Sequence, residues 1–336
     1  MGGFREWLKL IRPYGILFLG FTPVFGAICN GEFNGFRLGI LLIIGLLTHI
    51  FVFVQNDYYD VDVDKKSKYV AERPLTTGRI TKQHALLIFS SALILAVILT
   101  VVFVFSWRSL WLLLVSFLLM TLYNKYSKRI TSMECILSTS VLTFGLFGAY
   151  TVSPSLSALA VIVSFVGFLQ WLFSVGISAN LKDVEYDAQL GIRTTPMLFG
   201  VKVADKKLLK TKGFLAYASG IQLLHLVAAS LPFVLGFTAI SINGVPLPLL
   251  CFLIVAFLIL YTAWGILTSP LQKRDTMLRY EGAHEGLALL LVPLVLMNYL
   301  IDYLGTFPTI LLILVVLIWP LSILRILYGK TLIPLE

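Results

Sequence analysis

Ten apolar stretches set the limits on what this chain can fold into: residues 14–29, 38–56, 85–105, 109–123, 135–151, 157–180, 214–240, 247–268, 285–301 and 307–328. A helix needs about 20 apolar residues to cross the hydrocarbon layer, and these runs of about 15 to 27 bracket that length. None alternates with the period of a barrel strand. Backbone N–H and C=O groups in lipid have no water to pair with, so such runs close their hydrogen bonds internally, as helices. Hydrophobic residues make up 58% of the chain, against roughly 45–50% in a soluble domain. The expected fold is an all-α integral membrane protein. It forms one transmembrane domain over residues 1–336, with no low-complexity linker.

Charge sets the expected orientation. With the N-terminus in the cytosol, 24 of the 26 Lys and Arg residues fall on the inner side and only Arg37 and Arg108 outside, a strong positive-inside asymmetry. Among the acids only Glu32 and Asp302 fall outside, so the net charge of +9 belongs to the cytosolic face. A multi-pass cell-membrane protein with both ends cytosolic follows, the C-terminal end marked by Arg325 and Lys330. That basic face suits anionic headgroups or a phosphate-bearing substrate, although topology alone also accounts for it. Lys206, Lys207 and Lys210 are read as membrane-surface charges. The start "FREWLKLIRP" is basic and amphipathic, and the long apolar run behind it lacks an A-x-A exit, so it reads as an anchored helix. Cys29, Cys135 and Cys251 show neither disulfide nor zinc spacing.

Two inner loops concentrate carboxylates, each opening where a span ends. The first, "NDYYDVDVD", holds Asn56, Asp57, Asp60 and Asp64; at helical period 56, 60 and 64 stack on one face with 57 beside them. The second, "SANLKDVEYDAQLGIRTTP", places Asn180, Asp183 and Asp187 on one face. Asp62 and Glu185 point elsewhere. Stacked carboxylates repel one another unless a positive charge lies between them, and a divalent cation with hard oxygen ligands and retained waters answers that need, as in Mg²⁺ sites that also hold phosphates. One such cluster is as easily a solvated, lysine-balanced loop; two of like design argue for a metal. Arg73, Lys128, Lys182 and Arg193 supply cations on the same side for diphosphate oxygens. Neither cluster has the twelve-residue calcium loop, and no G-x-x-x-x-G-K-[ST] loop is present.

The first cluster, followed by "RPLTTG", resembles the N-D-x-x-D-x-x-x-D element and R-P-L-x-x-G tail of the UbiA superfamily of intramembrane prenyltransferases. The second, "DVEYD" with "GIRTTP", is similar to that superfamily's second D-x-x-x-D and its G-x-[RK]-T-x-P tail. The resemblance runs from about Arg12-Pro13 through the ninth stretch. It implies two related halves, with motifs at 56–64 and 180–187, in a bundle of nine transmembrane helices around a lipid-accessible cavity; with ten stretches counted, either 307–328 is an additional helix or one of the ten is not a span. It implies two Mg²⁺ ions as cofactors, with Asn56, Asp57, Asp60 and Asp64 serving one and Asp183 and Asp187 the other. Asp60, Asp64, Asp183 and Asp187 are accordingly catalytic, and Arg73, Arg193, Lys128, Lys182, Asn56 and Asn180 bind substrate. The superfamily's Tyr-x-x-x-Lys has a near match in "LYNKYSKR", where Tyr123 and Lys128 are five apart, leaving Tyr123 and Tyr126 as alternatives.

The implied partners are a polyprenyl diphosphate, a lipophilic acceptor and membrane lipid, and no nucleic acid. The acceptor is expected to be a prenylglycerol phosphate, as in ether-lipid synthesis, with a hydroxybenzoate or naphthoate ring as the alternative and intramolecular cyclisation as a third. An ion-coupled transporter is the rival from another class, since intramembrane carboxylates also mark ion pathways, but those tend to lie near the midplane at broken helices. His49, seven residues before Asn56, shares its face and is read as a packing residue rather than an acceptor contact. "RYEGAHEGLA" gives Glu281, His284 and Glu285 without the H-E-x-x-H pattern, and is read as a polar loop over the cytosolic end.

Overall fold

The computed structural model describes residues 3–67, 70–205, 207–270 and 273–329; Lys206 and Lys330 lie outside them. All ten apolar stretches are helical. Helix α1 (Phe4–Ile11) is joined to α2 (Ile16–Cys29) with a 50° bend, and α3 (Gly35–Asp64), α4 (Lys82–Phe103), α5 (Trp107–Tyr126) and α6 (Glu134–Tyr150) follow. Helix α7 (Ala158–Phe173) runs through a π-helical segment, Ser174–Ala179, into α8 (Asn180–Gln189). After the short α9 (Thr195–Leu198) and a hairpin of β1 (Lys202–Ala204) with β2 (Lys207–Leu209) come α10 (Lys212–Val234) and α11 (Leu247–Thr268). Helix α12 (Arg274–Val295) meets α13 (Met297–Leu304) at 56°, and α14 (Thr306–Tyr328) completes the bundle. Among the described residues seven helices are long and apolar enough to span a membrane, or nine if each bent pair is one span; α6 is apolar but shorter.

Local chemistry sets where the helices begin. The side chains of Asn34, Thr81, Ser157 and Thr211 each accept from a backbone N–H in the first turn of the helix that follows, and Ser106 does so while its own backbone N–H donates to Ser109 Oγ. These caps satisfy orphan N–H groups at span ends. The centre is built on close backbone approach, as expected where lipid removes the hydrophobic drive between helices and small residues let them pack. A Cβ on Gly148 of α6 would lie 2.0 Å from the Pro23 carbonyl oxygen of α2, and one on Gly26 would lie 2.0 Å from that of Gly145.

Three sequence expectations change. The acidic clusters are not in loops: α3 continues unbroken through Asp64, and Asn180 to Asp187 are helical in α8. "RYEGAHEGLA" is likewise helical, inside α12, with Glu281 and His284 buried. Lys210, expected at the membrane surface, donates to Leu267 O and Ser269 O, each at 2.7 Å, because the carbonyls ending α11 need donors that the helix no longer supplies.

Candidate active site

At 1.5 Å per residue the 30 residues of α3 reach about 45 Å, and the helix ends in the carboxylates. Asn56 donates to Asp60 Oδ2 at 3.3 Å. Asp57 is buried and pairs with Arg12 and with Arg73 Nη1 at 3.2 Å, and the same Nη1 reaches Asp64 Oδ2 at 2.8 Å. Arg73 is delivered by a turn in which Thr77 N donates to Arg73 O and Gly78 takes φ +75°, a conformation that glycine adopts without Cβ strain. Burial works against its charge, but the Asp57 and Asp64 carboxylates outweigh that and hold the guanidinium above its ordinary value.

Arg12 sits in the break between α1 and α2 with φ +53°. His49 holds that break: its Nε2 lies 3.0 Å from Ile11 O and 3.2 Å from Arg12 O, and its ring packs on Phe53. The packing role expected for His49 thus takes a specific form, fixing the residue that neutralises Asp57.

The second cluster faces the first. Asp187 is buried, its Oδ1 3.9 Å from Lys128 Nζ with no hydrogen-bond donor on it. Asp183 Oδ1 accepts from Arg274 Nη2 at 2.9 Å, and Lys182 Nζ lies 3.5 Å from Glu281 Oε2. The Tyr186 hydroxyl donates to Val63 O at 2.5 Å, tying α8 to α3. For Lys128, burial is again outweighed, here by Asp60 and Asp187, and the ammonium is held above its usual range.

A polar cavity of about 190 Å³ lies between the clusters, lined by Asn56, Asp60, Asp64, Arg73, Tyr123, Lys128, Asn180, Lys182, Asp183, Asp187 and Arg274. Of the two candidate tyrosines Tyr123, and not Tyr126, lines it, so the five-residue spacing to Lys128 brings both residues to the wall, which Tyr186 also lines. A second cavity of about 490 Å³ adjoins it, mostly apolar and bounded by α2, α3, α7, α12 and α14. Arg73, Val175, Ala179 and Lys182 line both.

Two expected site residues fall elsewhere. Asp57 is absent from the polar wall, and its Oδ1 is paired instead with both Arg12 and Arg73. Arg193 is exposed and lines neither cavity, since the Gly191 turn (φ +71°) carries it away from α8. Nor do Asp57, Asp60 and Asp64 converge: among the described residues no group of three or more His, Cys, Asp or Glu is arranged to hold one ion, and Arg73 stands between Asp57 and Asp64. Sequence reasoning missed Arg12 and Arg274. The proline after Arg12 was the only signal for the break that turns it inward, and Arg274 had none.

The family model of the UbiA prenyltransferase family matches residues 17–221, more than half of the chain and both carboxylate clusters. The chain belongs to the UbiA prenyltransferase family. Among curated UbiA relatives, a 4-hydroxybenzoate octaprenyltransferase of Francisella tularensis subsp. mediasiatica is 27% identical over 150 residues, covering 44% of this chain and 51% of the relative. The chain thus spans about half the length of that relative. A digeranylgeranylglyceryl phosphate synthase of Hyperthermus butylicus is 27% identical over 253 residues, covering 68% of this chain and 75% of the relative. In fold, the chain is similar to the apo structure of a UbiA homologue from Aeropyrum pernix, with TM-score 0.64 and 15% identity over 85% of this chain and 97% of that one. It is also similar to a UbiA homologue from Archaeoglobus fulgidus bound to DMAPP and Mg²⁺, with TM-score 0.57 and 16% identity over 85% of this chain and 99% of that one.

Proposed function

We propose that this UbiA protein transfers a polyprenyl group from its diphosphate to a lipophilic acceptor, releasing diphosphate at the cytosolic membrane face. One observation carries the reading: a polar cavity lined by carboxylates and cations shares Arg73, Val175, Ala179 and Lys182 with a much larger apolar cavity. A diphosphate with a long hydrocarbon tail has that two-part chemistry.

The residues present suit Mg²⁺, the ion named with the Archaeoglobus homologue. The buried Asp187 Oδ1 has no donor, and Asp60 has the Asn56 amide at 3.3 Å. Both keep acceptor capacity for an ion that takes one or two carboxylates and retains waters. In this reading Asn56, Asp60 and Asp64 hold one ion and Asp183 and Asp187 the other. Bound there, Mg²⁺ supplies positive charge to the leaving diphosphate. Arg73, Lys128 and Lys182 bind diphosphate oxygens and stabilise the charge that develops on them. Tyr123 and Asn180 orient the group, and the apolar wall keeps water from the allylic carbon.

The acceptor in this reading is a prenylglycerol phosphate. Its support is the match to the Hyperthermus synthase, which extends over 68% of this chain, and the volume of the apolar cavity. The test is incubation of purified protein with labelled geranylgeranyl diphosphate, Mg²⁺, and either geranylgeranylglyceryl phosphate or 4-hydroxybenzoate, with products identified by mass. The ether product with stoichiometric diphosphate is expected. Exclusive prenylation of hydroxybenzoate contradicts the acceptor, and a cyclic hydrocarbon formed without acceptor contradicts the transfer.

A further inference from the structure

The large cavity carries a polar wall that donor binding leaves unused. Its α12 side presents Glu281 and Glu285, one turn apart, and its α7 side presents Gln170 and Ser174, also one turn apart. Ser174 donates to Glu285 Oε1. Gln170 is 6% exposed, lines the cavity, and has no hydrogen-bond partner on either Oε1 or Nε2. A buried primary amide without partners is costly to keep, so its presence in this wall points to a ligand that completes it. Ser174 opens the π-helical segment, a distortion that recurs at functional sites. Opposite, Gly286 leaves open space, since a Cβ there would meet nothing within 4 Å.

Position decides which ligand group belongs there. Glu281 Oε2 lies 3.5 Å from Lys182 Nζ, and Lys182 also lines the diphosphate cavity. Glu285 is four residues further along α12, about 6 Å, on the apolar side of that pair. A nucleophile at Glu285 therefore stands next to the carbon that follows the diphosphate. Two carboxylates on this wall disfavour an acceptor carboxylate there and favour a hydrogen-bond donor. An alcohol meets both conditions.

Resting on the prenyl-transfer reading, we propose that Glu285, held by Ser174 and accompanied by Gln170, is the acceptor-hydroxyl site and the general base of the transfer. The acceptor hydroxyl donates to the Glu285 carboxylate while Gln170 binds a neighbouring polar group of the acceptor. As the acceptor oxygen bonds to C1 of the donor, the C1–O bond to diphosphate breaks with its electron pair leaving on diphosphate. The hydroxyl proton passes to Glu285. Glu281, paired with Lys182, stands between this site and the diphosphate, so that the base is not drawn into pairing with the cations that hold the leaving group.

The experiment measures donor affinity and acceptor-dependent turnover separately, for wild type, Glu285→Gln, Glu285→Asp and Gln170→Leu, with geranylgeranyl diphosphate, Mg²⁺ and geranylgeranylglyceryl phosphate. Loss of a general base is expected to lower kcat by about 100-fold or more in Glu285→Gln, with donor Kd within twofold of wild type. Glu285→Asp recovers part of that rate because it keeps the carboxylate. Gln170→Leu raises the acceptor KM while leaving donor Kd unchanged. Turnover in Glu285→Gln within twofold of wild type overturns the proposal, as does equal loss in Glu285→Gln and Glu285→Asp accompanied by loss of donor binding, which marks a structural role. A wild type that uses hydroxybenzoate and not the glycerol phosphate also overturns it. A wild type with no transfer to either acceptor instead sinks the prenyl-transfer reading on which it rests.

Discussion

Asp57 and Asp60, three residues apart in the motif, have different surroundings. Asp57, 3% exposed, binds Arg12 and Arg73, whereas Asp60 faces the polar cavity. Removing one partner of a buried ion pair leaves the other charge uncompensated and costs about 3–5 kcal/mol. Asp57→Ala is therefore expected to lower thermal stability of the protein in detergent without any donor present. Asp60→Asn and Asp187→Asn should leave that stability near wild type and reduce turnover on the order of 10³-fold by weakening leaving-group stabilisation. Asp62, whose side chain is 81% exposed and 3.9 Å from Lys82, should tolerate Asn in both assays. Arg193→Ala should keep donor affinity within about twofold, while Arg73→Ala should weaken it about tenfold or more, the scale of a charge-assisted bond; titration with geranylgeranyl diphosphate and Mg²⁺ separates them. These pairs also mark what sequence could reveal. Asn56, Asp60 and Asp64, and Asn180, Asp183 and Asp187, were legible because helical period alone puts each set on one face. Arg12 and Arg274 were not, because a bent helix pair and the first residue of α12 deliver them, and tertiary packing decides where those residues point.

Elements place these residues through backbone contact. Helix α6 is shorter than a normal span, yet it passes through the centre between α2, α5 and α7. It does so by presenting Gly145 and Gly148 to Gly26 and Pro23 of α2. Gly148→Ala forces a Cβ to within 2.0 Å of a backbone carbonyl oxygen that cannot rotate away. Overpacking of this kind costs about 1–3 kcal/mol or more. The expected result is a lower melting temperature in detergent and reduced donor affinity, because α2 follows Arg12; Gly220→Ala, in open space on α10, is the matched control. The sequence showed these helices as apolar runs, and their order and type are as read. Their ends were less legible. Hydropathy falls at Asn56, but α3 continues to Asp64, because the polar turns are stabilised by Arg12, Arg73 and the Tyr186 hydroxyl rather than by lipid. The same holds for α12, where a polar stretch read as a loop is a helix whose Glu281 and Glu285 find partners across the bundle.

At the scale of the whole molecule, charge and apolar surface divide cleanly. Arg37 pairs with Glu32 near the start of α3, at the end opposite the aspartates. Between these ends α4 and α14 turn many large apolar side chains outward, among them Leu87, Ile94, Val102, Phe307 and Ile326, a surface suited to lipid rather than water. The tenth apolar stretch contributes more than an added span. Helix α14 walls the large cavity with Val316, Leu317, Pro320, Leu321 and Leu324, and Trp319 Nε1 donates to Pro13 O at 2.7 Å, next to Arg12. In the proposed function the two adjoining cavities hold one substrate, its diphosphate among the carboxylates and its chain between α12 and α14. Photolabelling with a prenyl diphosphate that carries a benzophenone on its chain, followed by peptide mapping, tests this most directly. Labels are expected on cavity residues such as Leu287, Leu290, Leu317 and Leu321, requiring Mg²⁺ and lost when inorganic diphosphate competes. Labels confined to the lipid-facing surface of α4, indifferent to Mg²⁺ and to diphosphate, would contradict it.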